Sequence, residues 1–257
     1  MTRNAWAKII PPLLPLVSSA ALAELAVRQG WVAAWLVPAP SKVARSLLYD
    51  RDLWLALRDT GVASLCGFAL SAGIGLLIAI ALSSARWVQR TFYPYAVLFQ
   101  TIPIIAIAPM LVIWIGFDIR TVIASAFIVS VFPVIANAIN GLLSTDPALV
   151  DLFRLYGARP LETLWKLRLP FALPAILTGF RVAGGLAVIG AIVGEFITGG
   201  GLGGIIDAAR TQQRVDKIFA GLLLASGLGI GLFGLTNLVS QLTLRHWHAS
   251  ERTERND

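Results

Sequence analysis

Four stretches of this chain contain no Asp, Glu, Lys or Arg: those between Asp59 and Arg86, Arg90 and Asp118, Arg120 and Asp146, and Lys217 and Arg245. Each is longer than the roughly 20 apolar residues that carry an α-helix across the hydrocarbon core of a bilayer. In water these runs would have to be hidden, and the chain has too little polar material to hide them. Only 14% of its 257 residues are charged, against 57% hydrophobic, whereas a soluble domain carries about 25% charged residues. Disorder and a collagen repeat are excluded by the same composition, and a disulfide scaffold by the presence of a single cysteine, Cys66. The expected fold is an all-α integral membrane protein.

Two further runs complete the pattern. One, over 173–197, is interrupted only by Arg181 near its start and Glu195 near its end, where a long side chain reaches the interface. The other is N-terminal. Arg3 and Lys8 ahead of it and Ala21-Leu22-Ala23 within it resemble a signal peptide. Pro11, Pro12 and Pro15 would break such a core, and apolar sequence resumes from Trp31 to Val37, so the run is read as a span. A single membrane domain over 1–257 follows, with six spans near 9–27, 61–84, 92–116, 121–143, 173–197 and 218–243. An even number places both termini on one side. Lys and Arg divide eleven to nine between the two sides, and the nine mostly stand beside acids, which favours termini on the cytoplasmic side. The net charge of +7 fits a membrane surface and calls for no nucleic acid.

Outside the spans, Pro38-Ala39-Pro40 ends an apolar run, and Ser41 is expected to cap a short interfacial helix. Val43, Leu47 and Leu48 would lie on one side of it, Lys42 and Arg45 on the other. The segment 146–170 is the most informative. Asp146 suits an N-cap, Pro147 the first helical position, and Gly157 the positive-φ residue after a helix. This predicts about three turns, with Leu149, Val150, Phe153 and Tyr156 on one apolar face. Ala158, Arg159 and Pro160 restart the chain into a second short helix, which Pro170 should stop near Leu169. Such an element either lies on the headgroups or docks a soluble partner.

Enzymatic chemistry has little to stand on. No Gly-x4-Gly-Lys-[Ser/Thr] occurs, and the glycine run 199–204 lacks the lysine and hydroxyl that hold phosphate and magnesium, so it reads as an outer turn, a re-entrant segment or a connector. His246 and His248 flank Trp247 beyond the last span and read as interfacial rather than metal-binding. No catalytic or metal-ligating set is expected. Near Pro94, Pro103, Pro109 and Pro133, the polar residues Gln100, Thr101, Ser130, Asn137 and Asn140 either line a pathway or bond between helices. Arg181 and Glu195 either meet an anionic solute or snorkel. An ion-coupled secondary transporter would show repeated halves and midplane ionisable groups. Neither is evident.

The order Asp151-Leu152-Phe153, three residues, Gly157-Ala158, then Leu167-Arg168-Leu169-Pro170 resembles the loop Glu-Ala-Ala-x3-Gly-x9-Ile-x-Leu-Pro of bacterial ABC-importer permeases. Asp151 stands for Glu, Leu152 and Phe153 for the alanines, and Leu167 for Ile. Leu36 to Ser41, Thr101-Ile102-Pro103 with Ala108-Pro109 and Trp114-Ile115-Gly116, and Thr178-Gly179-Phe180-Arg181 with Gly194-Glu195-Phe196 resemble the nitrate/sulfonate/taurine-type members. The resemblance implies a type I ABC-importer permease fold in a bacterial inner membrane, moving a small solute of that kind. It also implies a second permease copy forming a homodimer, ABC ATPase subunits that use ATP and magnesium, and an extracytoplasmic binding protein. This chain would bind no cofactor, and its coupling residues would be Asp151, Leu152, Phe153, Gly157, Ala158, Leu167, Leu169 and Pro170. The run Gln100 to Pro109 looks nearer to permeases for pyrimidine or other vitamin precursors, which is the alternative substrate class.

Overall fold

Apolar runs in lipid can satisfy their own N–H and C=O groups only as helices or closed barrels. The computed structural model describes residues 3–84 and 86–244, and its regular structure there is helical throughout. Helix α1 (Arg3–Arg28) is followed by the short α2 (Pro40–Tyr49) and the long α3 (Arg51–Ser83). Then come α4 (Arg86–Thr101), α5 (Ile104–Ile115) and α6 (Ile119–Leu143). The 146–170 segment forms α7 (Pro147–Leu155), α8 (Pro160–Thr163) and a π-helical turn, Leu164–Arg168, which runs into α9 (Leu169–Thr198). Helices α10 (Gly201–Thr211) and α11 (Val215–Leu244) complete the described chain. We call the end that carries α7 and α8 the inner end and the opposite one the outer end.

Among the described residues four helices are long and apolar enough to cross a membrane: α3, α6, the continuous Pro160–Thr198 and α11. The expected span over 92–116 is instead two helices. Pro103 has no N–H to donate and disfavours helical geometry in Ile102, so α4 ends at Thr101 and α5 starts afresh at Ile104. Neither piece alone is long enough to cross.

The core is the pairing of α6 with α9, flanked by α3. In lipid, helices associate through close packing rather than expulsion of water, and small residues permit it. A methyl on Gly190 would lie 2.7 Å from the Ser125 carbonyl oxygen, and one on Gly194 3.0 Å from the Cα of Val122. Ala126, Ala138, Ala172, Ala183, Ala187 and Ala191 are fully buried along the same helices. Between α3 and α6 the hydroxyls of Ser71 and Ser130 lie 2.6 Å apart, and Ser130 also bonds the Ala126 carbonyl.

The expected stop at Pro170 does not occur. The wider π turn just before it gives the ring room where an α-helix would set it against the carbonyl four residues back, and the Leu169 N–H reaches the Leu164 carbonyl. The helix therefore runs unbroken for 39 residues, about 58 Å at 1.5 Å per residue and roughly twice the hydrocarbon thickness. Its first turns therefore exceed what a single crossing needs and form the stem of α9.

Candidate functional site

The inner element is built by local rules. The Asp146 side chain accepts from the Ala148 N–H at 2.9 Å, Pro147 takes the first helical position, and Gly157 follows the helix at φ +75°. Helix α8 starts where the Glu162 carboxylate accepts from the Arg159 N–H at 2.9 Å. Surface pairs, Asp151 with Arg154 at 3.5 Å and Glu162 with Lys166 at 3.8 Å, decorate the outside. Leu164 and Leu169 pack on the inner core of Ala79, Leu82, Ile139 and Leu142. The element is thus rooted in the bundle and continuous with α9.

The apolar face of α7 differs from the expectation. Val150 and Phe153 are half-buried, but Tyr156 is 84% exposed and Leu155 85%. The helix ends at Leu155, so Tyr156 as C-cap no longer continues its inward stripe. Leu149, Leu152, Leu161 and Trp165 are exposed as well. Of the expected coupling residues, Asp151, Leu152 and Gly157 are exposed, while Phe153, Ala158, Leu167, Leu169 and Pro170 are half-buried beneath them.

At the outer end the glycine run is neither loose nor exposed throughout. Gly199 at φ +79° closes α9, and α10 begins two residues later. The first N–H groups of α10 have no partner in their own helix. Gly203 donates to Glu195 Oε2 at 2.9 Å, and Leu202 donates to Thr60 Oγ1 at 2.9 Å. The Thr60 hydroxyl in turn donates to Glu195 Oε2 at 2.9 Å. Three helices are joined in this way, with a carboxylate at a helix N-terminus, where negative charge is favoured. Any side chain on Gly201 would collide with the Glu195 carboxyl, and one on Gly203 would meet the Ile192 carbonyl at 2.6 Å.

A family model described as "Binding-protein-dependent transport system inner membrane component" matches residues 71–245. The chain belongs to that family. The permease is 33% identical over 228 residues, 88% of this chain and 93% of the other, to a probable ABC transporter permease protein of Haemophilus influenzae. It is 35% identical to the formylaminopyrimidine transport permease protein ThiX of Halalkalibacterium halodurans, over 76% of this chain and 80% of that one. A putative aliphatic sulfonates transport permease protein, SsuC of Bacillus subtilis, is 30% identical over 88% and 83%. Among solved structures, the inward-facing MetNI methionine ABC transporter shares the fold with a TM-score of 0.60 at 22% identity, covering 79% of this chain and 96% of that one.

The polar residues expected along the pathway divide in this permease. Gln100 and Thr101 are exposed at the α4–α5 break, with the Thr101 hydroxyl on the Leu98 carbonyl at 2.7 Å. Asn137 is half-buried, donates to the Pro133 carbonyl at 2.9 Å and packs where Gly179 closes on α6, while Asn140 is exposed towards the inner end. Arg181 is half-buried and donates to Ser240 at 3.0 Å. Ser130 is fully buried in its bond to Ser71 between α3 and α6, the interhelical bonding that was one of its two expected roles. One expectation is corrected: Glu195, 2% exposed, does not snorkel, because the Gly203 N–H and the Thr60 hydroxyl hold its carboxyl inside the bundle. Thr60 was not anticipated, and its only sequence signal is a hydroxyl opening a charge-free run. His246, Trp247 and His248 lie outside the described residues.

Proposed function

We propose that this permease, paired with a second copy, forms the translocation pathway of an ATP-driven importer, and that the 146–170 element is its coupling site. The observation that carries this is the exposed apolar surface of α7 with its C-cap, α8 and the π turn, made of Leu149, Leu152, Leu155, Tyr156, Leu161 and Trp165 and held on capped helices. A groove on a partner ATPase is the fitting cover. ATP and magnesium belong to that partner, the termini are cytoplasmic, and a binding protein delivers the solute at the outer end.

Mechanically, a push on α8 reaches α9 without a loop between them, because Pro160–Thr198 is one helix. The π turn at Leu164–Arg168 is the point where that helix can flex. ATPase closure would thereby shift α9 against α6 between two packed arrangements. The small residues between them suit sliding more than bending.

The solute class we assign is small and of the nitrate, sulfonate or taurine kind, in line with the likeness to the sulfonate permease. A pyrimidine or vitamin precursor is the second reading. It is favoured by the run Gln100 to Pro109 and by the likeness to the formylaminopyrimidine permease. The test is purification of the tagged permease from its native membrane. A co-purifying Walker-motif ATPase, with uptake lost on deletion of the permease gene, supports the importer. Gradient-driven uptake without an ATPase supports a secondary transporter, and no uptake defect at all supports a scaffold.

A further inference from the structure

The outer end carries an open cleft of about 560 Å³ between α2, the start of α3 and the turn joining α10 to α11. Its walls are fixed. The Ser46 hydroxyl of α2 donates to Asp216 at 2.8 Å, the Lys217 ammonium meets Asp50 at 2.5 Å, and Trp54 Nε1 donates to the Leu47 carbonyl at 2.8 Å. From the α1 side the Glu24 carboxylate accepts from both the N–H and the hydroxyl of Ser41, at 2.9 and 2.8 Å. That clamp replaces the expected Ser41 cap, since α2 opens at Pro40. Val43 is buried beneath the cleft with Leu53, Leu202 and Ala220.

The charges lining the cleft are unevenly matched. Asp50 is occupied by Lys217, and Asp216 by Ser46 and by Arg214 at 3.2 Å. Lys42, Arg45 and Arg51 have no carboxylate within ion-pair distance among the described residues, and only Asp52 among the cleft's acids is without a cation. Lys42, Arg45 and Tyr49 follow one another at three- and four-residue steps, so they share one side of α2. The cleft is therefore a shallow, net-positive basin with guanidinium forks suited to phosphate oxygens.

Its depth in the membrane identifies the anion. Trp31, Trp35, Tyr49 and Trp54 are all exposed around α2, with Tyr49 80% so. Amphipathic rings gather at the headgroup level of a bilayer, and the apolar length of α3 begins only after Asp59. We propose that this cleft binds the phosphate of an anionic phospholipid headgroup through Lys42, Arg45 and Arg51. Bound there, the lipid braces α2 against α3 and α11 at the end opposite the ATPase.

The test is native mass spectrometry of the full-length permease stripped of lipid and titrated with phosphatidylglycerol, phosphatidylcholine or inorganic phosphate. Phosphatidylglycerol should be retained over phosphatidylcholine, and Lys42→Gln/Arg45→Gln/Arg51→Gln should lower that retention by about a hundredfold. Arg120→Gln/Arg210→Gln, which removes two other outer cations, should leave it unchanged. Loss of retention in both variants alike would mean general charge attraction and overturn the site. Equal retention in wild type and the triple variant overturns it too. Displacement of the lipid by inorganic phosphate, with phosphate alone raising the thermal stability of the wild type but not of the triple variant, would assign the cleft to free phosphate instead. Should the triple variant fail to fold, Arg45→Gln alone must still show a measurable loss.

Discussion

At the outer end Glu195, Thr60 and the backbone of Leu202 and Gly203 satisfy one another away from solvent, whereas at the inner end Asp151, Arg154, Glu162 and Lys166 remain on the surface. Both ends have to cap a short helix that follows or precedes a long one. Inside, the caps are local and the side chains around them stay free to meet something else. Outside, the cap of α10 comes from two other helices, so capping and tertiary packing are the same contact. The difference teaches where the molecule can move and where it cannot. An element meant to dock needs its own rigidity and an uncovered face; an element meant to hold helix ends together has no face to spare.

The contrast is broken most severely at the glycines. Gly203→Val places a branched side chain against the Ile192 carbonyl and the Glu195 stem. We expect it to destabilise the fold by about 3 kcal/mol or more, seen as loss of full-length protein from the membrane fraction. Normal accumulation would show that the outer end is looser than these contacts require.

Glu195→Leu leaves the Gly203 N–H and the Thr60 hydroxyl buried without their acceptor, at about 1–3 kcal/mol for each orphaned group. Glu195→Gln keeps an acceptor oxygen and should cost less than half as much. The two are compared by thermal unfolding in the same detergent, and equal losses would mean that volume rather than hydrogen bonding matters at this position.

At the inner end the ranking reverses, with stability nearly untouched and coupling lost. Asp151→Lys and Gly157→Asp permeases should reach the membrane at close to wild-type level yet fail to import. Gly157→Asp carries some strain at positive φ, of order 1 kcal/mol. Import at wild-type rates by both would remove the docking role.

Smaller still is the tie between α2 and α11. The Lys217 ammonium holds the Asp50 carboxyl below the usual carboxylate range. A depressed folded-state pKa stabilises above the unfolded value and is lost as pH falls through the folded one. Asp50→Asn should therefore cost about 1 kcal/mol at neutral pH, with the gap to wild type closing in acid, below the ordinary Asp value of 3.8. Thermal melts across pH would check this. The exposed Glu162–Lys166 pair is weaker again, and Lys166→Ala should change stability by no more than about 0.5 kcal/mol.

How much of this was legible in the sequence depends on how far apart the partners lie. Asp146, Pro147 and Gly157 act within one helix, and their roles follow from residue type and order alone. The charge-free runs gave the long helices for the same reason. Pro103 reads in the sequence as a proline inside one continuous span, and only the structure shows that it divides α4 from α5. Pro170 misled, because the π turn that accommodates it has no signature in Leu164–Arg168. Glu195 misled more instructively. A carboxylate near a span end usually reaches for water, and its actual partner Thr60 lies 135 residues away. The one local hint was the glycine run beside it, since glycines with no phosphate to cradle leave room for something else, here a carboxyl group. Ser41 was correctly placed at the start of α2 but not in its role, because Glu24 sits seventeen positions earlier in another helix.

The most direct measurement is photo-crosslinking from the inner element in native membranes. A crosslinker placed at Leu155 or Tyr156, the most exposed apolar positions of the α7 end, should capture a Walker-motif ATPase in wild type. The adduct should be lost in Gly157→Asp while the permease itself remains in the membrane. Crosslinks to lipid alone, or an undiminished ATPase adduct in a Gly157→Asp permease that still imports, would contradict the assignment of this element to coupling.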